Sequence, residues 1–322
     1  MKPSGKKTPR ETDFPQTLQE TIKYFSDPDT CATFMAQLRW PDGVTCPNCE
    51  GKAVSYLSTR RLWKCKACKK QFSVKQGTVM EDSPISLDKW LAAIWMIANA
   101  KNGISSCEIS RALDITQKSA WFLLHRIRLA MQEGTFEKMS GTVEADETFI
   151  GGLSKNMHKR EREARITGTG GKDKAIVMGL LERHGEGSTV RTKVILDRLG
   201  ETIQAEVRCH VEPGSELMTD ALKAYRGLND EYVHQFVDHA EEYVRGSVHT
   251  NGLENFWTLL KRSIKGTYVS VEPFHLFRYL DEQSFRFNTR NGKDADRFLQ
   301  AVKSVAGKRL TYEELTGSLS SH

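Results

Sequence analysis

Long apolar runs are missing from this 322-residue chain, and none approaches the ~18 to 20 residues that a membrane span requires. Its first ten residues, MKPSGKKTPR, carry charges with no apolar segment behind them, so we expect no secretory signal. Both absences predict a cytoplasmic protein with no membrane partner. The length allows about two to three domains if ~100 to 200 residues form one.

Cysteine is scarce, and seven cysteines in a chain expected in the cytoplasm do not predict a disulfide framework. Four of them follow the spacing C-x2-C-x15-C-x2-C: Cys46, Cys49, Cys65 and Cys68. Each CxxC turn can direct two thiolates at one tetrahedral centre, and the residues between the pairs suffice for a hairpin. We therefore predict one structural Zn²⁺ in a zinc ribbon over residues 45–80, with a coincidental set of reduced cysteines as the weaker alternative. The other three, Cys31, Cys107 and Cys209, are expected in the core.

Acidic residues are absent between residues 55 and 75, although the whole chain has a net charge of only +6. Residues 1–80 hold fourteen Lys or Arg against seven Asp or Glu, so the basic character is concentrated there. Cations interleaved with Tyr56, Trp63 and Phe72 suit contact with a phosphate backbone. A solvated surface and a protein-docking ribbon are the alternatives. The DNA contacts predicted in the ribbon are Arg60, Arg61, Lys64, Lys66, Lys69 and Lys70.

A helical pattern occupies residues 83–134, after a tail and helical lead-in over residues 1–44. Apolar residues recur at helical spacing in three segments, and the sequence LDIT joins the second to the third. Two short helices joined in this way match a helix-turn-helix, whose second helix enters the major groove. A plain three-helix bundle gives the same periodicity. On the DNA-binding interpretation, the predicted contacts on the third helix are Gln117, Lys118, Ser119 and Arg126.

Strands and helices follow one another over residues 140–292, ahead of a helical C-terminal tail over residues 293–322. Three predicted strands, a helix and two more strands separated by a helix indicate a mixed sheet flanked by helices, in the order of an RNase H-like domain. The predicted fold class is therefore multidomain, α+β and α/β. Asp146 lies in the first strand, and Asp220 ends the fourth, just before the predicted helix ALKAY.

Three motifs, VEADETFIGG, MTDALKAY and HTNGLENFWTLLKRSIKGTY, lie behind the four-cysteine ribbon. Together they closely resemble the DDE transposases of bacterial insertion sequences, in the group with an N-terminal zinc ribbon. The resemblance runs from about residue 41 to about residue 291. It implies an RNase H-like catalytic domain in which Asp146, Asp220 and Glu254 bind two Mg²⁺ (or Mn²⁺) ions.

The positions of these carboxylates are compatible with that implication. Glu254, Trp257 and Lys261 share one helix face, so a glutamate and a lysine can hold a metal and a phosphate together. In a two-metal site, cations ~3.5 to 4 Å apart activate the attacking oxygen and stabilise the leaving oxygen. Magnesium suits such an all-oxygen site. Taken singly, Asp220 is equally typical of a helix N-cap, and Glu254 is favoured by the helix dipole.

Several neighbours of the three carboxylates receive supporting roles. Asn251, one turn before Glu254, is predicted to orient water or DNA, and it is included with Lys261 among the predicted catalytic residues. Glu144 and Glu147 are expected behind the metal ligands. His249 is either a DNA contact or a solvent-exposed loop residue.

The predicted function is that of a transposase that binds the terminal inverted repeats of its insertion sequence, cleaves the element ends and transfers strands to target DNA. Double-stranded DNA is the expected partner, and joining two ends implies a homodimer or higher oligomer on DNA. A DNA-binding regulator and a structure-specific nuclease of the same fold are the alternatives. The basic, Gly-rich segment over residues 153–174 is either a DNA-contacting loop or a solvated excursion.

Overall fold

The computed structural model describes residues 14–132, 137–151, 174–185, 187–220, 222–237 and 249–317. The chain divides into two units: the first comprises Met1–Met131 with Gly292–His322, and the second comprises Gln132–Asn291. Within the described ranges, the helices are all too short or too polar to cross a membrane. The loop predicted over residues 153–174 lies outside these ranges, apart from its last residue.

The helices are α1 (Leu18–Tyr24), α2 (Pro28–Arg39), α3 (Leu87–Asn99), α4 (Ser106–Leu113), α5 (Gln117–Met131), α6 (Gly200–His210), α7 (Asn251–Ser263), α8 (Leu276–Asn288), α9 (Asp294–Lys303) and α10 (Tyr312–Thr316). The strands are β1 (Val54–Leu57), β2 (Leu62–Cys65), β3 (Gln71–Phe72), β4 (Thr142–Ile150), β5 (Ala175–His184), β6 (Gly187–Ile195), β7 (Glu216–Asp220) and β8 (Val233–Val237). A π-helical turn, Ile264–Tyr268, continues α7.

The ribbon of the first unit is an antiparallel three-stranded sheet in the order β1-β2-β3. Tyr56 lies opposite Trp63, and Trp63 lies opposite Phe72. Trp63 and Phe72 are buried, with ring centroids 6.2 Å apart. Because side chains alternate along a strand, Lys64 is exposed between the buried Trp63 and Cys65. One face of β2 therefore carries the aromatic and cysteine side chains, and the other presents a cation.

Helices α3, α4 and α5 occupy the segment in which three helices were predicted. α4 begins with a capping box, in which the Ser105 side chain accepts the Glu108 N–H and the Glu108 carboxylate accepts the Ser105 N–H. Asp114, with a left-handed φ of 48°, ends α4. Only residues 114–116 separate α4 from α5, so local turn chemistry sets the angle between the two helices.

The C-terminal residues 292–317 pack within the first unit. Phe298 of α9 is fully buried, with ring centroids 5.2 Å from Trp95 and 6.1 Å from Phe25. The guanidinium of Arg126, on α5, donates hydrogen bonds to the backbone oxygens of Leu310 (3.0 Å) and Glu81 (2.8 Å). The polar side of α5 is therefore partly covered by chain that follows it by almost two hundred residues.

The second unit is built on a five-stranded sheet in the order β6-β5-β4-β7-β8. β4, β5 and β6 pair antiparallel, whereas β7 and β8 run parallel to β4. One face packs on α6 through a core that includes Val143, Ala145 and Leu217. The other face packs on α7 and α8 around a core that includes Leu181 and Trp257. These layers confirm the predicted mixed sheet flanked by helices.

The helix predicted for ALKAY is wrong in extent. The described part of this segment forms a single 3-10 turn, Lys223–Tyr225. Tyr225 is fully buried in the core next to α6, and Gly227 follows with a φ of 103°, in the left-handed region that ends regular helix. Burial of the aromatic side chain and the glycine turn together leave room for one turn only.

Candidate active site and zinc centre

The four cysteines predicted to bind zinc meet in the first unit. The Sγ atoms of Cys46 and Cys68 are 3.7 Å apart, those of Cys49 and Cys65 are 3.6 Å apart, and all four lie within 4.8 Å of one another. Tetrahedral Zn²⁺ with Zn–S bonds of about 2.3 Å needs S–S separations of roughly 3.8 Å. A hydrogen bond from the backbone of Cys68 lowers the pKa of Cys65, which favours the thiolate that binds metal. The cluster therefore fits one structural Zn²⁺.

The other three cysteines do not share one environment. Cys31 is buried, as predicted, and burial raises its pKa to about 12. Cys107 and Cys209 are exposed, so their predicted core positions are wrong. Each lies on the solvent side of a short helix whose apolar stripe is formed by other residues, and a small side chain is tolerated there.

The predicted DNA contacts of the ribbon are all on the surface: Arg60, Arg61, Lys64, Lys66, Lys69 and Lys70 are exposed. Two of them also have protein partners, since Arg61 Nε lies 2.6 Å from Asp29 Oδ1 and Arg60 donates to Gln71 at 3.2 Å. An exposed ion pair of this kind contributes little stability, so it does not hold Arg61 away from a phosphate.

The residues predicted at the start of α5 are held in different ways. Gln117 donates to Ser106 at 2.8 Å, and the ammonium of Lys118 lies 4.7 Å from the centre of the Tyr312 ring. Ser119 belongs to the helix cap, because its backbone N–H donates to Thr116 Oγ1. Arg126 is buried on backbone carbonyls, which withdraws it from any DNA surface.

Asp146 lies on β4, opposite Gly179 of β5. Burial, together with the negative charges of Asp220 and Glu254, raises the pKa of Asp146 to about 6, against the lowering effect of a hydrogen bond from Trp257. That bond joins Trp257 Nε1 to Asp146 Oδ2 at 2.9 Å. A Cβ on Gly179 would lie 2.6 Å from the Trp257 ring, so the absence of a side chain there makes space for the indole.

Asp220 ends the strand next to Asp146. β4 and β7 are parallel neighbours with Glu144 opposite Met218, and the same register carried two residues further brings Asp220 level with Asp146 on one face. Asp220 Oδ1 also accepts the Leu222 N–H at 2.9 Å. Asp220 therefore holds the turn after β7 and also influences Asp146 through its charge. The described residues that follow form only a 3-10 turn, so Asp220 does not cap a regular helix, and its role as a metal ligand stays a prediction.

Glu254 and Lys261 approach Asp146 from α7. Glu254 is exposed in the first turn of the helix, and its charge contributes to the raised pKa of Asp146. Lys261 is partly buried, and this burial lowers its pKa while the Asp146 charge raises it. Asn251 is exposed at the first position of α7. Asp146 is thus close enough to Asp220, Glu254 and Lys261 for their charges to interact.

Asp146, Asp220 and Glu254 offer carboxylate oxygens, which is the donor type that Mg²⁺ prefers, but their spacing does not suit one shared ion. Among the described residues, the four cysteines are the only group of three or more His, Cys, Asp or Glu whose ligand atoms all lie within 4.8 Å of one another. Two oxygens on one Mg²⁺ ion can be at most about 4.2 Å apart, so one ion bound by all three carboxylates does not match these positions. Two ions about 3.5 to 4 Å apart would allow a wider spacing between their outer ligands than one ion does.

The two glutamates beside Asp146 face opposite sides of the sheet. Glu144, on the Asp146 face, accepts hydrogen bonds from Arg183 Nε (2.7 Å) and from the Leu253 backbone N–H (2.9 Å). Glu147 lies on the other face, where Arg198 donates to it at 3.1 Å and Tyr225 also donates. The sequence pattern gave no signal for Arg183, Arg198 or Tyr225.

His249 is bound to the same arginine as Glu144. Its backbone oxygen accepts Arg183 Nη2 at 2.6 Å, and its Nδ1 lies 2.7 Å from that nitrogen. Since a guanidinium only donates, Nδ1 is the acceptor in this pair. His249 is only partly exposed and makes this internal hydrogen bond, so it is not simply a solvent-exposed loop residue; a contact with DNA stays a prediction.

Removal of one zinc ligand gives a test of the metal centre. We expect one zinc per wild-type chain, and we expect Cys65→Ser to lose it and to lower the melting temperature of the first unit, because a closed thiolate site contributes directly to folding. The measurements are elemental analysis and melting followed by tryptophan fluorescence. Cys107→Ser, at an exposed cysteine, is the matched control. Full zinc retention in Cys65→Ser would contradict the assignment.

The raised pKa of Asp146 predicts a pH-dependent stability. Because its folded pKa of about 6 exceeds the unfolded value, the contribution of Asp146 is fully present below about pH 4 and is lost as pH rises through about 6. The total loss is about 3 kcal/mol. We expect Asp146→Asn to raise the melting temperature in Mg²⁺-free buffer more at pH 7.5 than at pH 5. Added Mg²⁺ should stabilise the wild type and not the variant.

The control for this measurement is Asp230→Asn, at an exposed carboxylate of the same unit. An equal effect of Asp146→Asn at the two pH values would contradict the assigned shift.

Comparison with known proteins follows the same division of the chain. The ISXO2-like transposase domain family matches residues 138–288, and the transposase zinc-ribbon domain family matches residues 26–71. An uncharacterized protein in transposable element ISH50 of Halobacterium salinarum is 28% identical over 254 residues, which cover 75% of this chain and 84% of that protein.

A solved structure also matches, at low similarity. It is a chain in the cryo-electron microscopy structure of the simian T-cell lymphotropic virus intasome in complex with PP2A regulatory subunit B56 gamma, with a TM-score of 0.27 and 10% identity. The match covers 58% of this chain and 66%, just under two thirds, of that chain, and at this TM-score it supports no statement about fold or function. The two domain families and the transposable-element relative agree, and together they support an insertion-sequence transposase of the IS1595 family.

Proposed function

We propose that this protein binds the terminal inverted repeats of its own insertion sequence and catalyses metal-dependent cleavage and transfer of DNA strands. The observation that carries the proposal is the placement of Asp146 and Asp220 level with each other on adjacent parallel strands, on the sheet face that α7, the helix of Glu254, covers. Burial and the charges of Asp220 and Glu254 raise the pKa of Asp146 to about 6. A cluster of like charges in a partly desolvated position is costly unless it binds cations. The strand order β6-β5-β4-β7-β8 supports an RNase H-like assignment for the unit that holds it.

In this proposal Asp146, Asp220 and Glu254 hold two Mg²⁺ or Mn²⁺ ions. When bound, such ions activate the attacking oxygen and stabilise the leaving oxygen of a phosphodiester. Trp257 keeps Asp146 in one orientation by occupying Oδ2, and Gly179 gives the indole its place. Lys261 supplies a positive charge on the same helix face for the scissile phosphate. Asn251, exposed at the helix start, orients water or DNA.

DNA binding is proposed for the first unit. The exposed ribbon cations contact the phosphate backbone, and α4 with α5 acts as a helix-turn-helix that presents Gln117, Lys118 and Ser119. Arg126 leaves this set because it is buried. Two element ends must be held together for transposition, so the active form is proposed to be a homodimer or higher oligomer on DNA. The cytoplasmic location stays a prediction.

Substitution of the three carboxylates tests the chemistry. We expect Asp146→Asn, Asp220→Asn and Glu254→Gln each to reduce cleavage of a labelled element end to the level seen without Mg²⁺, because each removes a metal ligand while keeping the side-chain shape. Joining is measured separately with pre-nicked ends. Binding of the end should be unchanged, and Asp230→Asn is the control.

The outcomes separate the proposal from its alternatives. Undiminished cleavage by Asp146→Asn removes the catalytic assignment. Cleavage without joining by the wild type indicates a nuclease. Binding of element ends with neither reaction indicates a regulator that retains the fold.

Salt dependence tests the ribbon surface. We expect replacement of Lys64, Lys66, Lys69 and Lys70 by Gln to reduce the slope of log affinity against log salt by about 0.9 for every lysine that contacts a phosphate, through lost counterion release. Fluorescence anisotropy with an end duplex at several salt concentrations measures the slope. Lys303→Gln, at an exposed lysine on α9, is the control. An unchanged slope would place the DNA surface elsewhere.

A further inference from the structure

Glu144 is a buried carboxylate that the proposed chemistry does not use. Its residue is 1% exposed, which is rare for a charged side chain without partners. Oε1 accepts Arg183 Nε at 2.7 Å, and Oε2 accepts the Leu253 backbone N–H at 2.9 Å. Since both oxygens are engaged by the protein, Glu144 is not placed as a further metal ligand.

The N-cap residue at the start of α7 does not cap the helix with its own side chain. Thr250 holds the N-cap position, and its side chain makes no capping hydrogen bond. The first backbone N–H groups of a helix have no partner inside the helix, and the helix dipole favours a negative charge beside them. Glu144, which comes from a strand more than a hundred residues earlier, supplies both the acceptor and the charge.

Gly252 brings the helix directly onto this carboxylate. A Cβ at position 252 would lie 2.9 Å from both carboxylate oxygens of Glu144 and 3.1 Å from Leu181 Cδ1. Either the helix start or the glutamate must move if a side chain is added. The close approach therefore depends on glycine at this position and not on a special backbone conformation.

Arg183 fixes the other side of the junction. Its guanidinium bonds to Glu144 and to the backbone oxygen of His249, the residue just before the N-cap. The approach of the chain to α7 and the first turn of α7 are thus both tied to one carboxylate. That carboxylate lies two residues from Asp146 on the same face of β4.

The contact between Glu144 and α7 also bears on the position of Glu254. Leu253, which donates to Glu144, immediately precedes Glu254 in the chain. β4 therefore carries one proposed metal ligand, Asp146, and the contact that sets where another proposed ligand, Glu254, begins its helix. We propose that Glu144 and Gly252 are positioning residues that hold Glu254 at the separation from Asp146 needed for divalent-cation binding, an inference that rests on the proposed function.

Divalent-cation binding without DNA provides the test. We expect Gly252→Ala in the full-length protein to raise the Mn²⁺ dissociation constant by about 10- to 100-fold in calorimetric titration, as is typical when a group that orients a metal ligand is changed. Glu144→Gln, which keeps the side-chain size but removes the charge, should do the same. Cleavage of an element end should fall in parallel, while affinity for that end stays unchanged.

Gly266→Ala is the matched control. Gly266 lies in the π-helical turn after α7, and a Cβ there meets no atom within 4 Å. Replacing glycine by alanine raises helix propensity at both positions, so propensity alone predicts no loss at position 252. We expect Gly266→Ala to bind Mn²⁺ like the wild type.

Mn²⁺ affinity and melting temperature together distinguish three outcomes. Weakened Mn²⁺ binding in a folded Glu144→Gln or Gly252→Ala supports the inference. A lower melting temperature with unchanged Mn²⁺ affinity would show a merely structural contact and overturn it, leaving the proposed function intact. Mn²⁺ binding that is equal in the wild type and in Asp146→Asn would overturn the proposed function itself, and the positioning role with it.

Discussion

The second unit depends on one electrostatic constraint: a carboxylate, Asp146, is held partly buried on the middle strand of the sheet, facing two further acids. Burial and repulsion both oppose its charge, which is why its pKa rises to about 6. A helix packed over this strand must therefore offer a donor, and α7 offers the Trp257 indole N–H. The indole in turn needs the space that Gly179 leaves on the adjacent strand. The contact that packs α7 on the sheet is thus also the hydrogen bond that Asp146 receives.

The alternation of side chains along β4 determines which of its residues face α7 and which face α6. Val143 and Ala145 face the core beneath α6, whereas Glu144 and Asp146 face α7. Glu147 turns back to the first face, where Arg198 and Tyr225 hold it. A register shift of one residue would exchange the two faces and bury both acids of the α7 side in the apolar core, so pairing with β5 and β7 specifies the site together with the fold.

The features predictable from sequence were those with local causes. The cysteine spacing fixed the zinc centre because each CxxC turn sets its own geometry, and alternation or helical periodicity located the ribbon, the three helices and the five strands of the sheet. Long-range packing determined the features that the sequence did not predict. Arg126 was predicted to contact DNA from the surface. Its guanidinium instead donates to the backbone oxygen of Leu310, which lies 184 residues later in the chain. The segment after Asp220 looked helical because its residues favour helix, but burial of Tyr225 and the turn at Gly227 limited it to one turn.

The zinc centre and the proposed catalytic metal site differ in how their ligands are brought together. In the zinc centre the ligands of each CxxC pair are three residues apart in the chain, and the short ribbon hairpin brings the two pairs together. The Sγ atoms of Cys46 and Cys68 and those of Cys49 and Cys65 lie 3.7 and 3.6 Å apart. Asp146, Asp220 and Glu254 instead come from two strands and a helix, separated by 74 and 34 residues. No local turn can set their spacing, and their mutual repulsion tends to widen it. A site of this kind needs an interaction that places the helix relative to the strand before any cation arrives. The buried contact between Glu144 and the start of α7 has the position to do this, because it joins the chain next to Asp146 to the residue next to Glu254.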